Sequence, residues 1–252
     1  MNLQKIVRSI SGKIEGKKIL LLLDYDGTLT PIVPKPGLAV LSAPRRRLLK
    51  RISGKKLVTM GIVSGRALKN VKKMVGISGI IYCGNHGFEI EGPKIRLIHA
   101  AARKFRPALE KIKRKLLLEL GGIKGIMVED KGSTLSVHYR MVRGSDLGRV
   151  TKGISAATRG VRAKVTAGKK VWEVRPPVAW DKGSAVRFLI RKIGGRSFVP
   201  IYAGDDVTDE SAFSVLRRKG ITIAVGKKRT SAQYAVKSVR EFYKLLNSII
   251  RG

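Results

Sequence analysis

The sequence predicts an α/β fold, a doubly wound parallel sheet with an α+β domain inserted into it. Short apolar runs alternate with helical stretches at the start of the chain, as in βαβ units. The pattern changes at about residue 100, where a long basic helix precedes several short strands, and it returns after Pro176-Pro177. We therefore expect one core domain from residues 1–99 and 177–252, with residues 100–176 as the inserted domain.

The first half of the core follows from apolar runs and helix signals. Four or more apolar residues bounded by a turn predict a buried parallel strand. Ser42 stands where a helix cap is needed, and Pro44 suits the first turn. The predicted elements are a helix over 2–14, a strand over 19–23, a helix to about 52, a strand over 57–63, a helix over 67–75 and a strand over 80–82.

The inserted segment and the return to the core are predicted in the same way. Within the insertion we expect a basic helix over 100–120, strands over 126–128 and 135–139, a helix over 145–158, and strands over 161–166 and 171–174. Short connections between these strands favour antiparallel pairing. Beyond it we expect a helix over 181–193, a strand over 198–203, a helix over 209–218, a strand over 221–225 and a closing helix from about residue 239.

Composition and charge limit the class of protein. No apolar run approaches the roughly 20 residues that span a membrane. The single cysteine, Cys83, excludes an internal disulfide and suits a reducing compartment, so we expect a cytoplasmic protein. The net charge is +36, but Lys and Arg are spread along the chain and aromatic residues make up only 6%. We therefore expect attraction of anionic small molecules rather than specific nucleic-acid binding.

The scarce acidic residues are concentrated. There are only 17, and five lie in two short segments, namely Asp24, Asp26, Asp205, Asp206 and Asp209. The first segment follows an apolar strand, and ligands of open α/β sheets lie beyond the carboxyl ends of the strands. Two neighbouring carboxylates repel each other, so their negative charge must be neutralised. Mg²⁺ would neutralise it, because this ion binds carboxylates together with a substrate phosphate.

Three further motifs follow in chain order. Ser64-Gly65-Arg66 comes directly after the second strand, where a hydroxyl and helix amides can bind a phosphoryl oxygen. Lys182 begins a helix, and the segment from Gly204 to Asp209 follows a later strand. Each motif is common alone, but the set in this order points to a phosphate-handling site.

This set of motifs resembles the haloacid dehalogenase superfamily, over nearly the whole chain. The resemblance implies a Rossmann-like core with a mobile inserted cap. It makes Asp24 the nucleophile that forms an aspartyl-phosphate, and Asp26 the acid that protonates the leaving alkoxide and later activates water. Ser64 and Lys182 would hold the transferred phosphoryl group.

The same resemblance implies a magnesium site. Asp24, Asp205 and the backbone carbonyl of Asp26 would bind Mg²⁺. Asp206 and Asp209 would support these ligands without touching the metal, or would bind it through water.

Longer stretches are similar to the trehalose-6-phosphate phosphatase family. They are DYDGTLTPIV at 24–33, GNHGFE at 84–89, VEDKGSTLSVHYR at 128–140, GKKVWEVRP at 168–176, WDKGSAV at 180–186 and GDDVTDE at 204–210. The family implies Mg²⁺-dependent hydrolysis of trehalose 6-phosphate to trehalose and phosphate. It also implies sugar contacts from the cap by Glu129, Lys131, Arg140, Lys169 and Glu173. The alternative for each is an ordinary ion pair on an exposed strand.

Several alternatives stay open from the sequence. The same chemistry could act on another sugar phosphate, such as a sucrose, mannosyl-glycerate or glucosyl-glycerate phosphate, and a basic nucleic-acid-binding protein is the rival from a different class. Arg66 either contacts substrate or pairs with Glu89, and His86 either anchors its loop or contacts substrate. We expect a monomer whose partner is a small phosphorylated disaccharide.

Overall fold

The chain divides into two units, each with its own sheet. The computed structural model describes residues 2–168, 170–193, 198–226 and 229–250. One unit consists of Met1–Arg96 and Trp180–Gly252, and the other of Leu97–Ala179.

The regular elements are numbered in chain order. The strands are β1 (Lys18–Leu23), β2 (Val58–Val63), β3 (Ile81–Gly84), β4 (Glu89–Gly92), β5 (Ile95–Ile98), β6 (Met127–Asp130), β7 (Leu135–His138), β8 (Lys164–Gly168), β9 (Val171–Arg175), β10 (Phe198–Gly204), β11 (Ile221–Val225) and β12 (Tyr234–Val236). The helices are α1 (Leu3–Ile14), α2 (Ala43–Ser53), α3 (Leu68–Val75), α4 (Ala100–Leu120), α5 (Leu147–Thr158), α6 (Lys182–Ile193), α7 (Glu210–Leu216) and α8 (Val239–Ile249). No helix in the described part of the chain is long and apolar enough to cross a membrane.

The first unit is built on an eight-stranded sheet in the order β12-β11-β10-β1-β2-β3-β4-β5. Every pair from β12 to β3 is parallel, and β4 runs antiparallel to β3. Strand β1 lies between β2 and β10, and its residues Ile19 to Leu23 are all buried. A strand covered on both faces must be apolar at every position, which is why β1 is a continuous apolar run. The predicted parallel sheet is confirmed.

Alternate residues of β1 face different layers. Leu21 and Leu23 belong to one core cluster with buried residues of α1, α2, α3 and α8. Leu20 lies on the other side, beside Ile190 of α6. Helices therefore cover both faces, as a doubly wound sheet requires.

The second unit is a four-stranded antiparallel sheet in the order β6-β7-β9-β8. Its apolar residues, among them Val137 and Val174, form a core with α4 and α5. Because side chains alternate between the two faces of a strand, the residues between them lie on the opposite face. There Glu129, Ser136 and Glu173 are register partners across three strands. The predicted antiparallel α+β arrangement of this segment is observed.

The structure adds three strands that the sequence patterns did not predict. Strands β4 and β5 are the last two strands at one end of the sheet and have four residues each, several of them charged and only partly buried. Strand β12, at the other end, has three residues. Such short strands carry too few apolar positions to show a period. Ser42 occupies the predicted cap position of α2, but its hydroxyl makes no cap hydrogen bond. Pro44 has no amide hydrogen at one of the two positions that a cap would bind.

Candidate active site

The predicted motifs meet at one edge of the first sheet. Asp24 directly follows β1, Ser64 follows β2 and Asp205 follows β10, and these three strands are neighbours. Because neighbouring parallel strands end at the same edge, their carboxyl ends bring the three side chains to one region. The Asp24 amide extends the β1–β10 pairing by donating to the carbonyl of Ala203 at 2.9 Å.

A buried ion pair lies at the centre of the site. Lys182, the first residue of α6, places its Nζ 2.7 Å from Asp24 Oδ1 and 2.8 Å from Asp209 Oδ1. All three side chains are almost inaccessible to solvent. Burial by itself lowers the pKa of Lys182, but the charges of Asp209 and Asp24 outweigh it, so the pKa lies above its ordinary value. The lysine is therefore a fixed positive charge beside Asp24.

Asp209 organises the loop that follows β10. Its Oδ2 accepts hydrogen bonds from the backbone amides of Asp205 and Asp206, at 3.1 and 2.9 Å. Its Oδ1 accepts from Lys182 and from the hydroxyl of Tyr202, the latter at 2.6 Å. A Cβ on Gly204 would lie 2.3 Å from Asp209 Cγ, so this approach needs glycine.

Tyr202 is a member of this network that the sequence patterns did not identify. Burial and the neighbouring charges of Asp209 and Asp24 raise its pKa well above the ordinary value. The phenol therefore stays protonated and donates its hydrogen bond. The signal that would have found it is a hydroxyl in the middle of an apolar run that predicts a buried strand, since such a group must have a partner.

Three carboxylates approach one another closely enough to share a cation. One oxygen each of Asp24, Asp205 and Asp209 lies within 4.8 Å of the others. Gly27 makes room for this, because it has φ +84° and a Cβ there would lie 2.1 Å from Asp205 Oδ2. With Lys182 as the neighbouring cation, the group carries a formal charge of −2.

The electrostatics of Asp24 fit a divalent cation. Burial raises the pKa of Asp24 well above its ordinary value, and the charges of Asp209 and Asp205 raise it further against the effect of Lys182. Carboxylate oxygens are the ligands that Mg²⁺ prefers. The donor set and its surplus of negative charge therefore suit Mg²⁺.

The Asp26 side chain forms a separate ion pair with Arg66. Arg66 Nε and Nη2 donate to the two carboxylate oxygens of Asp26, at 2.7 and 2.6 Å. The same Nη2 also donates to the carbonyl of Pro36 at 2.8 Å. From the sequence we expected Arg66 to contact either the substrate or Glu89. The structure shows a further partner, Asp26, that was not expected. Ser64 lies close by, with its Oγ accepting from the Arg66 amide at 3.2 Å.

The loop from Gly84 to Glu89 packs against the Ser64 motif. His86 is buried and has φ 57°, and its amide donates to the carbonyl of Ser64 at 2.9 Å. Its ring occupies the space beside Gly65, where a Cβ would lie 2.7 Å from the imidazole. This packing favours the interpretation of His86 as a loop anchor.

The predicted sugar-binding residues divide into three groups. Lys131 Nζ lies 3.0 Å from Glu173 Oε1, and Glu129 Oε2 lies 2.8 Å from His138 Nε2. These pairs lie on the polar face of the second sheet, opposite its helices. Arg140 is exposed in the turn after β7. Lys169 lies outside the described residues.

Comparison with solved structures defines the class of protein. The C-terminal domain of trehalose-6-phosphate phosphatase from C. albicans is similar with a TM-score of 0.83 and 25% identity, over 99% of this chain and 97% of that one. A haloacid dehalogenase-like hydrolase from Bacteroides thetaiotaomicron, 17% identical, has the same fold with a TM-score of 0.65. The protein has the haloacid dehalogenase fold, as the motifs predicted.

Comparison of sequences defines the family. Residues 22–248 match the family model described as trehalose-phosphatase. The chain is 37% identical to a probable trehalose-phosphate phosphatase D of Arabidopsis thaliana, over 94% of this chain and 68% of that protein. It is 38% identical to a trehalose 6-phosphate phosphatase of Zea mays, over 93% and 70% respectively. The chain belongs to the trehalose-phosphatase family and is a phosphoric monoester hydrolase.

Proposed function

We propose that this protein hydrolyses trehalose 6-phosphate to trehalose and phosphate through an aspartyl-phosphate on Asp24. The observation that carries the proposal is the contact of Asp24 with Lys182 beside two further carboxylates, at the carboxyl edge of the sheet. A buried carboxylate fixed by a lysine is a positioned nucleophile next to a charge that can bind phosphate. Membership of the trehalose-phosphatase family supports the substrate.

The first step is transfer of the phosphoryl group to the protein. An Asp24 oxygen forms a bond to phosphorus while the bond from phosphorus to the sugar oxygen breaks. Asp26, in its protonated form, gives its proton to the leaving sugar oxygen. Lys182 and the hydroxyl and amides of the Ser64 motif hold the phosphoryl oxygens, whose charge is spread in the transition state.

The second step returns the protein to its starting state. A water oxygen forms a bond to phosphorus as the bond to Asp24 breaks, and Asp26 takes the proton of that water. The bidentate contact with Arg66 holds the ionised carboxylate, which is the form that Asp26 has after it has protonated the leaving group and before it takes the proton of water. We thus propose that Arg66 binds Asp26 directly and affects the substrate through Asp26.

A bound Mg²⁺ would neutralise phosphoryl charge and draw the phosphate towards Asp24. We propose Asp24, Asp205 and the carbonyl of Asp26 as its ligands. Both oxygens of Asp209 already accept two hydrogen bonds each, which suits a residue that holds the loop and the lysine. Asp206 lies in this loop and donates its amide to the same carboxylate.

We further propose that residues 100–176 are a cap domain that recognises the sugar. The polar face with Glu129, Lys131 and Glu173 supports this, because paired charges on a sheet face offer donors and acceptors for hydroxyl groups. Arg140 and Lys169 are proposed as further sugar contacts from their family motifs. We also propose that the protein acts as a monomer in the cytoplasm, where its one thiol would stay reduced.

Phosphate release from a panel of esters tests the function. The panel contains trehalose 6-phosphate, sucrose 6-phosphate, glucose 6-phosphate, p-nitrophenyl phosphate and a 5′-phosphorylated oligonucleotide, each with Mg²⁺ and with EDTA. We expect preferred release from trehalose 6-phosphate, its loss in EDTA, and a fall of at least about 10³-fold in Asp24→Asn with an unchanged circular dichroism spectrum. Preference for another sugar phosphate would contradict the substrate, and activity in EDTA would contradict the metal.

One substitution in the inserted unit tests the sugar contacts. We expect Glu173→Gln to lower kcat/KM for trehalose 6-phosphate by about tenfold and to leave p-nitrophenyl phosphate unaffected, because only the sugar ester uses this face. Glu119→Gln, at an exposed acid of α4, is the matched control and should change neither. Equal losses on both esters would count against a role in sugar recognition.

A further inference from the structure

Tyr202 occupies an unusual position for a polar group. It lies in β10, two residues before Gly204, and is fully buried. Its ring packs edge-on against Phe213 of α7, with centroids 5.8 Å apart and planes at 77°. Its hydroxyl is thereby aimed at Asp209 Oδ1, 2.6 Å away. The ring is therefore fixed by packing against Phe213, and the hydroxyl by its hydrogen bond to Asp209.

The hydrogen bonds of Asp209 form a continuous path to the nucleophile. The Asp209 Oδ1 that accepts from Tyr202 also accepts from Lys182 Nζ at 2.8 Å, and the same Nζ lies 2.7 Å from Asp24 Oδ1. A lysine side chain has several rotatable bonds, so its ammonium lies beside Asp24 only if its other partner is fixed. The fixed partner is the Asp209 carboxylate.

Four donors fix the plane of that carboxylate. The two backbone amides hold Oδ2, and they would allow some rotation about the bond from Cβ to Cγ. Lys182 Nζ also donates to Oδ1, but it lies at the end of a flexible side chain and is shared with Asp24. The Tyr202 hydroxyl comes from a rigid strand and is the contact that defines this direction.

We propose that Tyr202 is a positioning residue for the reaction, because its hydroxyl orients the Asp209 carboxylate that aims Lys182 at Asp24. The proposal rests on the proposed function. It assigns Tyr202 no contact with substrate and no proton transfer. Its loss should therefore lower kcat and leave KM for the sugar ester nearly unchanged.

The matched control is another buried tyrosine of the same sheet. Tyr82 lies in β3, and its hydroxyl donates to the carbonyl of Ile77 at 2.6 Å, away from the carboxylates. Tyr82→Phe and Tyr202→Phe each remove one buried hydroxyl and keep the ring. A purely structural role for both predicts similar losses of melting temperature and no difference in kcat.

The experiment measures kcat, KM and the melting temperature of both variants at saturating Mg²⁺. We expect Tyr202→Phe to lower kcat by roughly tenfold, the effect of losing one hydrogen bond to a charged group, while Tyr82→Phe keeps the kcat of the wild type. Asp209→Asn should lower kcat at least as much, and adding Tyr202→Phe to it should lower kcat by less than twofold more, because both changes act through one contact.

Several results would overturn the proposal. They are an unchanged kcat in Tyr202→Phe, an equal fall in Tyr82→Phe, and effects of Tyr202→Phe and Asp209→Asn that multiply independently. If Tyr202→Phe fails to fold, an unchanged kcat in Asp209→Asn is sufficient to reject it. All variants are also assayed on p-nitrophenyl phosphate, so a wrong sugar assignment leaves this test intact. A wild-type protein that hydrolyses no ester overturns both proposals.

Discussion

At the scale of single residues, the site depends on positions where any side chain would prevent the contact. Gly27 is the clearest of these, since it has φ +84° and its missing Cβ is replaced by the carboxylate of Asp205. The chain therefore uses glycine here both for its backbone angle and for close approach. At Gly204 the missing Cβ likewise allows a close approach, in this case by the carboxylate of Asp209.

Gly27→Ala should weaken metal binding in the proposed site. The new methyl group would displace Asp205, so we expect the Mg²⁺ concentration for half-maximal phosphate release to rise at least about tenfold. The measurement is a Mg²⁺ titration of activity, accompanied by thermal unfolding.

Gly16→Ala is the control for this substitution. Gly16 has φ +67° and nothing within 4 Å of a Cβ, so it shares the backbone strain but displaces no ligand. We expect a lower melting temperature and an unchanged Mg²⁺ requirement. A similar rise in that requirement in both variants would show that strain, and not the position of Asp205, is responsible.

At the scale of elements, one carboxylate ties the long helix α4 to strand β6. Arg106 and Lys113, both on α4, donate to Asp130 at distances of 2.9 to 3.1 Å. Burial alone would raise the pKa of Asp130, but the hydrogen bonds from Arg106, from the Gly132 amide and from Lys113 outweigh it. The pKa of Asp130 consequently lies below its ordinary value.

The lowered pKa predicts a pH-dependent contribution to stability. A carboxyl group whose pKa is lower in the folded state stabilises the fold above its unfolded pKa of about 3.9 and loses this effect as the pH falls further. We expect Asp130→Asn to lower the free energy of unfolding by about 1 kcal/mol at pH 7, since the partners are partly exposed. The difference from wild type should shrink steadily below about pH 4.

Thermal and urea unfolding at pH 7 and pH 3 measure this effect. Asp146→Asn is the control, because Asp146 pairs with the exposed Arg149 within four residues of chain and ties no separate elements. We expect the control to differ little from wild type at either pH. A loss in Asp130→Asn that is the same at both pH values would refute the electrostatic explanation.

At the scale of the whole molecule, charge is the dominant property. A net charge of +36 on 252 residues creates a positive field around a site whose proposed substrate is an anion. Helix α2 is an example, with Arg45, Arg46, Arg47, Lys50 and Arg51 and no acidic residue. Three of the scarce acidic residues, Asp24, Asp205 and Asp209, instead lie together at the carboxyl edge of the first sheet, where a cation is the expected ligand.

This field predicts a salt-dependent reaction. Raising NaCl from about 20 to 200 mM shortens the screening length severalfold, so kcat/KM for trehalose 6-phosphate should fall by about three- to tenfold. With saturating Mg²⁺ and substrate, kcat should stay constant, because screening does not reach the buried ion pair. Initial rates over this range measure both quantities, and a kcat/KM that ignores salt would exclude steering by the net charge.

The parts of the fold that could be predicted are those with strong local signals. Strands β1, β10 and β11 are continuous apolar runs because both of their faces are buried, and the antiparallel strands of the inserted segment are bounded by turn residues. Strands β4, β5 and β12 were missed because a short strand at or next to an edge of the sheet keeps few apolar positions. The meeting of Asp24, Ser64 and Asp205 was predictable because ends of neighbouring parallel strands converge.

The sequence by itself determined the fold class, the family and the residues that follow each strand, because periodicity and motif order are local properties of the chain. Only the tertiary structure decided which of those residues touch. Arg66 pairs with Asp26 across 40 positions, and Tyr202 was identified only through its bond to Asp209. Such contacts depend on rotamers and on angstrom-scale placement of elements. A hydroxyl or guanidinium therefore finds its partner by packing, which no spacing along the chain records.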